Sequence, residues 1–341
     1  MRQTTVVLGL LIATQAFAAG VDAPRRSELE VVDSPRRAQV LRSALGAFAL
    51  SDGSLWVTHF APARREPGSI GVTRFGADGS EREFLVSDWL PKGSTPGGAA
   101  GQVYAVTLLT DGRVAVSAGW TDGADAHNGI FILRAGKDGR YTTDKLIEWP
   151  GVADIVAGPR NTILAATFDA SRRGGGPLLT LFDAEGRMRA KALDHQRPIS
   201  PAEAAQTAMK VRLHRFNERT FVVYDPADDT LGVLDIEVLE DKSIWSARNV
   251  IFIGDDASLA DTRVLGISMT QDGDVLVARV GNIGGKLGTH LAVYGQDSSI
   301  RHSTVLDRPW KFMLQENGRV RGVVPLRDGV GLDPLPSRRD K

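Results

Sequence analysis

No cysteine occurs among the 341 residues, which removes disulfides, thiolate metal sites and cysteine nucleophiles, so the fold must rest on its own core. A surplus of one charge is missing too, since 41 Lys and Arg meet 41 Asp and Glu. That balance excludes the bulk basic character of a nucleic-acid or anionic-membrane binder. Long apolar runs are also lacking. The run Val6-Val7-Leu8-Gly9-Leu10-Leu11-Ile12-Ala13 is far shorter than the ~20 residues of a membrane-spanning helix. With Arg2 ahead of it and Ala16-Phe17-Ala18 behind, it reads as a secretory signal peptide over residues 1–19, cleaved after Ala18 or Ala19. No Asn-x-Ser/Thr acceptor is present, which fits a bacterial periplasmic or extracellular location. Enzyme signatures are scarce as well. There is no Gly-x-Ser-x-Gly elbow and no His-Glu-x-x-His, and the six histidines stand singly. The glycines after Arg173 lack the Lys-Ser/Thr of a phosphate loop.

What the chain has is a repeat. An apolar strand, a tight turn and a second apolar strand recur in Phe48 to Thr58, Thr107 to Ala118 and Ser268 to Val280, each with Asp-Gly at the turn. Gly accepts the positive φ that such hairpins need. Copies without Asp-Gly run over Val156 to Thr167, Leu213 to Tyr224 and Met313 to Val324. Their turns fall at Gly53, Gly112, Asn161, Glu218, Gly273 and Gly318, spaced by 45 to 59 residues. A second turn follows the first five after 23 to 27 residues, at Gly79, Gly139, Gly186, Asp241 and Ser298. Two hairpin turns per repeat describe a four-stranded blade, so the expectation is an all-β, six-bladed β-propeller. The sixth repeat ends before a second turn is reached. The stretch Glu28 to Val32 is therefore expected to supply its outer strand and close the ring. One propeller domain over 20–335 and a disordered tail over 336–341 follow.

These blades, with SDGSLWVT, TDGRVAVSA and FDAEGRM, resemble the six-bladed TolB-like, NHL and senescence-marker/gluconolactonase group. The resemblance implies a propeller serving as binding scaffold, sensor, lyase or hydrolase. Its gluconolactonase-like members hold a divalent metal through Glu, Asn and Asp in the channel. Recurring Trp-Asp, the Asp-box spacing and the Trp docking motif of quinoprotein propellers are all missing.

The two turns of each blade share one face, and the longer, polar connections share the other, where binding residues tend to sit. That second face is expected to carry His59, Arg65, Asp125, His127, Arg172, Arg173 and Asn282. Paired arginines at 64–65 and 172–173 suit a carboxylate or phosphate. Solvated loop charge is the plainer reading of the same residues. The innermost strands, taken as the apolar run before each first turn, bring Asp154 into the channel with Lys210, Arg212 and His214. A basic wall of that kind repels a divalent cation. Ser200-Pro201-Ala202-Glu203 is a capping box that predicts a short helix. The functional expectation is an exported, monomeric binding protein or interaction scaffold for a protein, peptide or carbohydrate, with no nucleic-acid partner and no cofactor. The alternative is a metal-dependent lactonase-like hydrolase or lyase at the channel mouth, with calcium or a similar ion.

Overall fold

The computed structural model describes residues 29–32, 34–61, 70–91, 94, 102–122, 125–169, 176–194, 200–240, 242–253, 257–316, 319–327 and 329–335. They form six antiparallel four-stranded sheets in succession, the blades of a six-bladed propeller. The first strand of each blade lies against the first strands of its neighbours. These innermost strands are Gly46–Ala49, Val103–Leu108, Val152–Ala157, Arg212–Arg215, Thr262–Met269 and Phe312–Glu316, in blades 1 to 6. Apolar clusters fill the seams between blades. Leu164, Leu181, Phe221 and Ile236, for example, interdigitate between blades 3 and 4. With no disulfide available, this burial between sheets is what holds the ring.

The turns carry the backbone chemistry that the sequence demanded. Gly53 and Gly112 sit at φ of 78° and 83°, in the left-handed region where a Cβ is strained. In the blade 4 turn no glycine is needed, because the Asn217 side chain accepts the backbone N–H of Arg219 and Thr220, both at 2.8 Å. The anchors at 241 and 318 lie outside the described residues.

Blade 6 is closed by the N-terminal segment. Its strand order is Phe312–Glu316, Arg319–Leu326, Gly329–Pro334 and then Glu30–Val31. Glu30 pairs with Leu332 and Val31 with Gly331. The closing strand is thus two residues long, inside the wider stretch expected from the sequence. A helix, α1 (Pro35–Ser43), leads from it to blade 1, capped by Ser34 Oγ accepting the Arg37 N–H at 3.2 Å. A second helix, α2 (Pro201–Lys210), begins at the expected capping box, with Ser200 and Glu203 exchanging hydrogen bonds. It packs on the innermost strand of blade 3, where Ala208 is fully buried.

One expectation about the faces needs correcting. The connection at 284–285 is not a long loop, and in blade 2 the described strands stay paired on both sides of 123–124. Strand pairing continues to Asp122 opposite Asp125 and to Ile283 opposite Lys286, with Gly284 and Gly285 both at positive φ. Two-residue hairpins of this kind match the strand twist. The face opposite the first and second turns, called the loop face below, therefore carries projecting ribbons as well as loops.

Candidate binding site at the loop-face mouth

Arg212 and Thr262 begin the innermost strands of blades 4 and 5, so Arg212 and Arg263 enter the channel wall side by side at the loop-face end. The Arg212 guanidinium donates to the carbonyls of Met209 at 2.9 Å and Val211 at 2.8 Å, holding the last turn of α2 as a cation there should. Burial lowers its pKa, Asp154 opposes that shift, and the neighbouring Arg263 adds to it. Arg263 is exposed and makes no ion pair among the described residues.

Two carboxylates nearby, Asp154 and Asp229, are already engaged. Asp154 accepts the Ile155 N–H on one oxygen and the Leu213 N–H on the other, each at 2.9 Å. It thereby staples blade 3 to blade 4. Burial pushes its pKa up to about 6, against Arg212 and those two amides. Asp229 accepts the Tyr224 hydroxyl at 2.9 Å and the Arg279 guanidinium at 2.6 and 2.8 Å, which ties blade 4 to blade 5. His214 is buried, its Nε2 has no hydrogen-bond partner, and burial drops its pKa to about 4. The imidazole is neutral at pH 7 and is aligned on no reacting partner.

The remaining sequence candidates scatter. His59 is buried, its Nε2 2.8 Å from Thr73 Oγ1 and its Nδ1 2.9 Å from the Phe60 carbonyl. Its ring lies under Gly71, where a Cβ would come within 2.8 Å. Asp125 and His127 are exposed on a ribbon strand, and His127 stacks on Trp120 with centroids 5.5 Å apart. Asn282 is exposed on the blade 5 ribbon, and Lys210 is the exposed last residue of α2. Arg65, Arg172 and Arg173 lie outside the described residues. Sequence reasoning missed Arg263, Arg279 and Tyr224. Arg263 could have been found, since it stands at the head of an apolar run as Arg212 does. Arg279 and Tyr224 occupy ordinary strand positions, and only the tertiary fold brings them to Asp229.

Among the described residues no three His, Asp or Glu side chains gather as a metal centre would require. No described helix is long and apolar enough to cross a membrane. No protein-family model and no curated protein sequence matches the chain. Comparison with solved structures gives matches of low identity. The PQQ-bound form of an aldose sugar dehydrogenase from Streptomyces coelicolor is 16% identical, with 91% of this chain and 98% of that one covered, at a TM-score of 0.50. A putative oxidoreductase (glucose dehydrogenase) from Thermus thermophilus is 14% identical over 89% and 97%, at 0.48. BamB from Moraxella catarrhalis is 11% identical over 87% and 96%, at 0.38. At these identities the likeness concerns architecture alone: the chain is a six-bladed β-propeller.

Proposed function

We propose that the chain is an exported binding propeller that receives an anionic group of a protein, peptide or carbohydrate partner at the loop-face mouth between blades 4 and 5. The observation that carries this reading is the Arg212–Arg263 pair, two guanidiniums repelling each other beside carboxylates whose oxygens are taken by other donors. An incoming carboxylate relieves that repulsion and finds in Arg263 a planar fork whose donors engage none of the described residues. Export rests on the N-terminal charge, apolar run and small-residue pattern.

Catalysis by a divalent ion fits these residues poorly. Asp154, the carboxylate on the innermost strand of blade 3, spends both oxygens on amides and faces a guanidinium. A quinone cofactor of the kind named for the Streptomyces protein is a polycarboxylate, so the guanidiniums suit its charge. Its chemistry also needs a base at the reacting centre, and His214 is buried with a depressed pKa while Asp154 is bonded to backbone. The donor set does not fit that role.

Calorimetric titration of the chain with acidic peptides and with uronic-acid oligosaccharides tests the reading. Arg263→Ala is expected to weaken the ligand that binds by about tenfold, the scale of one charge-assisted hydrogen bond. Equal affinity in the variant would remove the site.

A further inference from the structure

The opposite face holds a second feature, independent of the loop-face mouth. In blades 2 to 5 the second turn leans on the outer strand of the preceding blade. Arg82 donates to the Asp138 carbonyl, Gly186 sits on Lys145 and Ile147, Arg189 donates to the carbonyls of Leu239 and Glu240, and Asn249 donates to Gln296. Blade 6 has no second turn, because its outer strand comes from the other end of the chain. The seam between blades 5 and 6 accordingly opens into a cavity of about 750 Å³, within the range of ligand pockets. His302 and Thr304, on the outer strand of blade 5, line it where a turn would otherwise rest.

The polar groups in this cavity are unspent. In the Asp-Gly turns at 52, 78, 111 and 138, the Asp carboxylate accepts the N–H two residues on. Arg74 and Arg113 add cations to Asp52 and Asp111. In blade 5 the residue two beyond Asp272 is Asp274, another carboxylate. Neither carboxylate makes a hydrogen bond or ion pair among the described residues, and both residues line the blade 5 wall. On the blade 6 wall Arg321 is paired with Glu30 at 2.9 Å, whereas Arg319 is exposed and has no ion pair among the described residues. Between them Ser268, only 4% exposed, and Thr270 reach the cavity with no side-chain hydrogen-bond partner among the described residues. Met269, Leu276, Leu291 and Val320 supply apolar floor.

We infer that this seam binds a short peptide as a zwitterion, its amino terminus at Asp272 and Asp274 and its carboxylate at Arg319. The two walls carry opposite charges that no described residue neutralises, which suits a ligand bearing both. The Ser268 hydroxyl, on a residue only 4% exposed, has no partner among the described residues, and a peptide amide along the groove supplies one where a plain aliphatic zwitterion does not.

The test is calorimetric titration of the full chain with trileucine, its N-acetyl form and its C-terminal amide. Free trileucine is expected to saturate the protein, and each blocked form to bind at least tenfold more weakly. Asp272→Asn with Asp274→Asn should weaken free trileucine at least tenfold and abolish the penalty for acetylation, while Arg319→Gln should do the same for amidation. Arg263→Ala should bind trileucine like the parent chain, which separates this site from the loop-face mouth. Lack of saturation up to millimolar peptide, or binding indifferent to both end groups, would overturn the inference. So would binding by a chain starting at Leu29 but not by the longer chain, because the groove would then belong to the chain's own N-terminal segment.

Discussion

The two seams that flank blade 5 are built differently. Between blades 4 and 5 both ends are fastened, by Arg279 on Asp229 at the loop face and by Asn249 on Gln296 and the Phe252 N–H on Ser298 Oγ farther out. Between blades 5 and 6 the described residues fasten only the loop-face end, and more strongly. Asp333, fully buried, accepts Arg308 through both oxygens at 2.8 and 3.0 Å and the Trp310 indole N–H at 2.9 Å. Thr289 of blade 5 is joined to the same connector, accepting the Trp310 N–H and donating to the Arg308 carbonyl. The difference teaches that closing a ring with the chain's two ends removes one hairpin turn, and that a buried ionic clasp at the other end compensates.

Breaking that clasp should have the largest effect. Asp333→Ala strands the Arg308 guanidinium and the Trp310 N–H in a buried setting, so a loss of about 3–5 kcal/mol is expected in urea unfolding. Arg279→Met at the neighbouring seam should cost less, about 2 kcal/mol, because its partner Asp229 is one-third exposed. Equal losses at the two seams would break the contrast.

A subtler comparison concerns pH. Asp154 has a folded-state pKa raised to about 6, so its contribution is present below its unfolded value of 3.8 and is lost as pH rises through 6. His214 has a pKa depressed to about 4, so its contribution is present above 6.5 and is lost as pH falls through 4. The slopes are opposite and overlap between pH 4 and 6, each at most about 1.4 kcal/mol per pH unit. Unfolding midpoints across that window should therefore be nearly flat in the parent, rise with pH in Asp154→Asn and fall with pH in His214→Phe. Parallel profiles in all three would refute the assignment. Arg263→Ala should change stability least, within about 0.5 kcal/mol, since the side chain is exposed and pairs with none of the described residues.

The fold was legible because its turns are chemically forced. Gly53, Gly79, Gly112, Gly139, Gly186 and Gly273 all adopt positive φ, and a glycine repeated for that reason is visible without coordinates. The truncated sixth repeat likewise announced that another part of the chain must complete it. The site was less legible, because charge in a sequence does not say where its partner lies. Arg212 looks like a ligand contact in the string but closes the last turn of α2. His59 looks like a loop residue but packs beneath Gly71. The ribbons ending at Asp122 and Ile283 have loop composition yet keep their strand register, since pairing across the hairpin overrides the local preference.

The account stands on closure of blade 6 by the N-terminal strand. The direct measurement compares urea unfolding of a chain beginning at Leu29 with one beginning at Ser34, then titrates the shorter chain with a synthetic peptide spanning residues 27–33. Loss of Glu30–Val31 also withdraws Leu29 and Val32 from the apolar clusters they join, so the shorter chain should unfold at a lower midpoint, and the peptide should restore that midpoint saturably. Identical midpoints for the two chains, unmoved by the peptide, would contradict it.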